Sequence, residues 1–111
     1  MNVLIVENDE STRDVLCEFI EDNGFSIDFT GNAMEGIEKI ESCMPHILLV
    51  DMYLDDGNAL PLIKQCQSYY PETRIIVMTA GKITDDLLEG LSVYSVLQKP
   101  FDVGTLEKLL H

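Results

Sequence analysis

Three unbroken apolar runs, "VLIV" (3–6), "ILLV" (47–50) and "IIVM" (75–78), limit what this chain can fold into. None alternates with polar residues, and all are rich in β-branched side chains. A strand of that kind has no face to offer to water, so it needs cover on both sides, as in a parallel sheet between helices. A fourth run, "SVYSVL" (92–97), reads as a further strand. "SIDFT" (26–30) alternates instead, with Ile27 and Phe29 on one side and Ser26, Asp28 and Thr30 on the other. Alternation suits a strand with one exposed side, such as an edge.

The intervening segments carry helical spacing. Val15, Leu16, Phe19 and Ile20 form one face, stopped by Asn23-Gly24. Ala33, Ile37 and Ile40 form the next, opened by Asn32 with Glu35 three residues on, the spacing of a capping box. A third helix is expected from Asn58, with Pro61 in its first turn and Leu62, Ile63 and Cys66 inward. Thr84 is the expected cap of a short fourth helix (Leu87, Leu88, Leu91), and Asp102 that of a fifth (Leu106, Leu109, Leu110). The pattern is β-α five times over one domain, residues 1–111, without repeats or linkers. Right-handed crossovers then dictate a doubly wound parallel sheet with helices on both faces.

Composition narrows the partners. Twenty acidic against seven basic residues leave a net charge of −13, which disfavours direct contact with nucleic acid or an anionic membrane and favours basic surfaces and divalent cations. No apolar stretch approaches the ~20 residues of a bilayer span, and Met1-Asn2 leads straight into "VLIV" with no basic leader. A soluble, cytoplasmic protein is expected. Cys17, Cys43 and Cys66 are scattered, with no CxxC, and read as reduced thiols.

In open α/β sheets, ligands sit beyond the carboxyl ends of the strands. There this chain places Glu7, Asn8, Asp9 and Glu10 after the first strand, Asp51 after "ILLV", Thr79 after "IIVM" and Lys99 after "SVYSVLQ". Any one of these could be a solvated loop residue. Together, carboxylates gathered at one end of a sheet repel each other unless something positive joins them. Oxygen ligands without thiolate or imidazole favour a hard cation, Mg²⁺ in particular. His46 lies before a strand at the opposite end and His111 is the last residue. A carboxylate beside Mg²⁺, a lysine and a threonine can attack phosphorus as a nucleophile, with the cations neutralising the transferring oxygens.

With these residues assembled, the chain resembles a bacterial two-component response-regulator receiver domain over essentially its whole length. The likeness rests on the acidic cluster in "IVENDE", on "ILLVDMYLDDG" around Asp51, on "VMTA" ending at Thr79-Ala80, and on "LQKPF". It implies a single flavodoxin-like (βα)5 sandwich with strand order 2-1-3-4-5. It also implies that Asp51 is the phospho-acceptor, and that Glu7, Asn8, Asp51 and the Tyr53 carbonyl hold Mg²⁺. Thr79 matches the hydroxyl residue that moves toward the phosphoryl group, Ala80 the small residue beside it, and Lys99 the lysine of the site, whose bond to Pro100 is expected to be cis. The partners implied are a histidine kinase or phosphotransfer protein, and an effector domain or downstream protein. The chain would promote only its own phosphorylation and dephosphorylation.

The departures are specific. Asn8 is neutral where the family has a carboxylate on the metal, so Asn8→Asp is expected to tighten Mg²⁺ binding unless Asp9 or Glu10 has taken over the charge. Asp55 stands where the family has proline, and Ala59 where it has glycine. Val96 occupies the switch position usually held by Tyr or Phe, with Tyr94 two residues away. The competing reading is a degenerate receiver acting as a phosphorylation-independent interaction module. A magnesium-dependent phosphatase is disfavoured because Asp51 and Asp55 do not form a DxD, and a flavin protein because no Gly/Ser/Thr-rich phosphate loop follows "VLIV".

Overall fold

The structure, a computed structural model, describes residues 1–83 and 86–111. Strand β1 (Asn2–Val6) leads into helix α1 (Glu10–Asp22), then β2 (Ser26–Thr30), α2 (Ala33–Cys43) and β3 (Ile47–Asp51). A two-residue-stranded hairpin follows, β4 (Tyr53–Leu54) with β5 (Gly57–Asn58), before α3 (Leu60–Tyr69). The chain finishes with β6 (Arg74–Thr79), β7 (Ser95–Gln98) and α4 (Val103–Leu110).

The five longer strands form one parallel sheet in the order β2-β1-β3-β6-β7, which is 2-1-3-4-5 counted without the hairpin. This is the flavodoxin-like doubly wound fold. The unbroken runs end up in the middle, and their alternation assigns each residue to one of two cores. Leu4, Val6, Leu48, Val50, Ile75 and Val77 face α2 and α3 with Ile40, Leu62 and Ile63. Val3, Ile5, Ile47, Leu49, Ile76 and Met78 face α1 and α4 with Leu16, Ile20 and Leu106. Leu62 lies so close under α2 that a Cβ on Gly36 would sit 2.9 Å from it.

The caps follow the sequence where side chains make them. Asn32 accepts from the Glu35 amide at 2.8 Å, and Asp102 accepts from the Thr105 amide at 2.9 Å. The Glu35 carboxylate takes the Thr30 hydroxyl at 2.7 Å rather than closing the capping box. Helix α3 begins two residues after Asn58, whose side chain accepts from the Leu60 amide at 3.0 Å.

Several expectations are corrected. Residues 86–90 form turns rather than a fourth helix; the Glu89 amide bonds Asp86 and the Leu91 amide bonds Leu88. The segment ends at Gly90 with φ of +80°, and so short a run gains too little to offset the cost of a helix nucleus. Leu87, Leu88 and Leu91 still pack against the α2–α3 core. The cap assigned to Thr84 lies outside the described residues. Phe29 is exposed on the edge strand, shielded by the Arg13 guanidinium 5.1 Å from its ring centre. Val15 also faces solvent. Cys17, Cys43 and Cys66 are free thiols, and burial pushes the Cys66 thiol up. Among the described residues, no helix is long and apolar enough to cross a membrane.

Candidate functional site

Sheet register builds the site. Asp51 pairs with Met78 at the ends of β3 and β6, and Thr79 pairs with Gln98 at the ends of β6 and β7. Glu7 follows β1 directly, its amide bonded to the Thr30 carbonyl at 3.1 Å. Lys99 follows β7, its amide bonded to the Thr79 carbonyl at 2.7 Å. Four side chains distant in sequence are thus carried to one edge by backbone ladders alone.

Lys99 joins the two carboxylates. Its Nζ donates to Asp51 Oδ2 at 2.8 Å and to Glu7 Oε1. Glu7 is 0% exposed and Asp51 nearly buried, so the ammonium is the counter-charge that lets both remain in the sheet end. Burial pushes the Glu7 carboxyl above its ordinary range, the Asp51 carboxylate adds to this, and Lys99 opposes it. For Lys99 burial acts downward, but its bonds to Asp51 and Glu7 prevail and the ammonium is held above its usual value. The Lys99–Pro100 peptide bond is cis.

The other acidic residues have different occupations. Asp9 caps α1, accepting from the Thr12 amide at 2.9 Å, and those Thr12 bonds hold its carboxyl below the usual range. Glu10 is exposed in the first turn of α1. Asp56 accepts from the Ala33 and Met34 amides at 3.0 and 3.1 Å, a cap supplied to α2 from across the sheet end. Asp51 Oδ1 accepts from the Tyr53 amide at 3.1 Å, which places the Tyr53 backbone against the carboxylate.

Lys99 therefore brings Glu7 and Asp51 together, with the Tyr53 amide on Asp51; Asn8 directly follows Glu7 and its side chain donates to Asp55 at 3.1 Å, and Thr79 ends the strand beside β3. Thr79 is buried, and its hydroxyl is engaged with Gly81, accepting from the amide at 3.1 Å and donating to the carbonyl at 3.2 Å. Val96 lies on β7, 42% exposed. Sequence reasoning missed Arg13, whose Nη1 donates to the Glu7 carbonyl at 3.3 Å beside Gly31. The hairpin was missed as well, although Asp56-Gly57 carries a turn signal.

The donor set fits a hard dication. The set expected from the sequence is two carboxylates, the Asn8 amide and the Tyr53 carbonyl, all oxygen. Among the described residues no three His, Cys, Asp or Glu side chains are placed to form a metal cage. A cation here would rely on two carboxylates and neutral oxygens, which suits Mg²⁺ retaining several waters.

A parallel α/β sheet with its polar cluster at the carboxyl ends of the strands defines the doubly wound, ligand-binding class. Within that class the family is definite: the response regulator receiver domain model matches residues 3–111, and the chain belongs to that family, the receiver domains of two-component systems. It is 29% identical over 108 residues to the transcriptional regulatory protein DltR of Streptococcus agalactiae serotype III, covering 96% of this chain and 48% of that protein. The chain thus spans about half the length of the curated relatives it matches. The fold is that of a CheY-like receiver domain protein from Methanospirillum hungatei, with TM-score 0.90 at 23% identity, covering 98% of this chain and 90% of that one. It is also that of the receiver domain of the sensor histidine kinase PA1611 from Pseudomonas aeruginosa, with TM-score 0.86 at 18% identity, covering 98% and 93%. That structure has a magnesium ion coordinated in its active site cleft.

Proposed function

We propose that this domain accepts a phosphoryl group on Asp51 from a histidine kinase or phosphotransfer protein and thereby alters the surface it offers to an effector domain or downstream protein. The observation that carries the reading is the Asp51 carboxylate at the end of a buried strand with the Lys99 ammonium 2.8 Å away. An Asp51 oxygen forms the bond to phosphorus while the bond to the donor imidazole nitrogen breaks and the imidazole leaves. Lys99 stays on the site as a fixed positive charge for the transferring oxygens, and the same contact orients Asp51 before reaction. Glu7, Asn8, Asp51 and the Tyr53 carbonyl would hold Mg²⁺, which supplies charge neutralisation at the phosphoryl oxygens. Thr79 donates its hydroxyl to the phosphoryl group once released from Gly81. The chemistry is confined to the domain's own phosphorylation and its reversal, in the cytoplasm, and no turnover of a separate substrate is assigned to it.

A phosphorylation-independent interaction module is the second reading, favoured by the short, half-exposed Val96 at the switch position. One assay separates them. Incubation with acetyl phosphate and Mg²⁺ should add the mass of one phosphoryl group to the wild type and none to Asp51→Asn. An unchanged mass in folded wild-type protein would overturn the first reading and leave the second.

A further inference from the structure

Two of the chain's departures from the receiver pattern meet in space. Asn8, the amide at a carboxylate position, and Asp55, the carboxylate at a proline position, lie 47 residues apart in sequence, and Asn8 Nδ2 donates to Asp55 Oδ1 at 3.1 Å. A carboxylate only accepts hydrogen bonds, so Asn8 turns its NH2 group to Asp55 and keeps its amide oxygen for the other side. That is the atom a cation needs. Proline at 55 could make no such bond.

Charge points the same way. Glu7 and Asp51 supply two negative charges to the cation site, and Lys99, seated on both, cancels one. Of the nearby acids, Asp9 is occupied at the start of α1 and Asp56 at the start of α2. Glu10 is exposed in the first turn of α1. Asp55 is the acid bonded to a candidate ligand. It sits at the tip of the β4–β5 hairpin, which its neighbour Asp56 fastens to α2, so its position is set by the fold.

We propose that Asp55 is the outer carboxylate of the cation site, restoring through Asn8 the negative charge that the amide lacks. The inference rests on the Mg²⁺-dependent phospho-acceptor reading above. A carboxylate behind a ligand orients it and makes its donor atom more basic, and loss of such a partner typically costs about 10–100-fold in metal affinity. Asp55 also adds direct attraction for a dication.

Mg²⁺ titration of the metal-free protein by calorimetry tests this without any phosphoryl transfer. Asp55→Asn keeps an acceptor for the Asn8 amide and removes only the charge, so its Mg²⁺ affinity should fall about tenfold. In the swap Asn8→Asp/Asp55→Asn the bond survives with its polarity reversed and the carboxylate stands at position 8. The affinity should return to the wild-type value or above it. Far-UV circular dichroism establishes that each variant is folded. If Asp55→Asn binds Mg²⁺ as tightly as the wild type, or if the swap stays as weak as Asp55→Asn, the role of Asp55 is overturned while the cation site stands. A wild type with no Mg²⁺ binding at all overturns the cation site itself, a distinct result.

Discussion

Lys99→Met tests whether the ammonium is what permits two carboxylates at the sheet end. The substitution keeps much of the stem and removes the charge that lies 2.8 Å from Asp51 and against Glu7. The side chains are 21% exposed for Lys99, 11% for Asp51 and 1% for Glu7, so solvent replaces little of the lost interaction. Removing one partner of a buried pair costs about 3–5 kcal/mol. The lower end applies, because Asp51 keeps the Tyr53 amide and Glu7 a weaker bond from the Asp9 amide at 3.4 Å. A loss of about 3 kcal/mol near pH 7 in metal-free buffer corresponds to roughly 1–3 M in urea midpoint. Glu7 sets the pH dependence. Its pKa is already raised above 4.5, mainly by burial, and Lys99 is the influence that opposes the rise. Without Lys99 it climbs further. A carboxyl with a raised folded pKa contributes stability that is fully present below the unfolded value of 4.5 and lost as pH rises through the folded value. The variant should therefore recover stability on acidification toward pH 4.5, and its gap from the wild type should narrow. The Lys99 pKa is raised above 10.5, so the wild-type advantage persists until strongly alkaline pH. Urea titrations at several pH values measure the gap. A gap under ~1 kcal/mol at pH 7, or one that widens on acidification, would refute the buried-pair argument.

Two further outcomes are expected. Asp56→Ala should speed hydrogen exchange at the Ala33 and Met34 amides and lower the melting temperature. Those two amides hold the Asp56 carboxyl below 3.8, so its contribution is present above pH 3.8 and lost as pH falls through the depressed value; unchanged exchange would show that Asn32 alone caps α2. On beryllofluoride binding, the amide signals of residues 79–83 should shift more than that of Tyr94, measured by two-dimensional NMR. A larger shift at Tyr94 would give the aromatic switch role to that residue and refute this expectation.

The parts of the fold legible in the sequence were those decided by local pattern. "VLIV", "ILLV" and "IIVM" have no exposed face in any strand register, so their central place in the sheet follows without tertiary information. Asn32 and Asp102 act on amides three residues away, and such caps are visible in sequence. Leu87, Leu88 and Leu91 show the limit. Their spacing is helical and they do pack inward, but apolar spacing alone does not close a helix over so few residues ending at Gly90. Phe29 fails for another reason: its neighbour is the guanidinium of Arg13 from α1, a long polar side chain 5.1 Å from the ring centre, and alternation within "SIDFT" carries no sign of it.

The candidate site divides in the same way. Glu7, Asp51, Thr79 and Lys99 could be placed because each ends or directly follows a strand, and parallel register brings strand ends together. Asn8 with Asp55, and Asp56 with α2, could not, because they depend on a hairpin that brings an acidic tip back over two other elements. The same distinction bears on output. Arg74 lies over the half-exposed Tyr94 ring at 4.3 Å and donates to the Leu109 carbonyl at 2.9 Å, so this aromatic carries a cation that is tied to α4. Val96 is β-branched, and its χ1 is stiff. The Thr79 hydroxyl, by contrast, is bonded to Gly81, two residues on. Releasing it requires breaking two bonds within one turn of loop, whereas moving Tyr94 requires parting a stacked cation held by another element. The smaller rearrangement is at Thr79–Gly81, and for that reason the larger amide shifts on beryllofluoride binding are expected there.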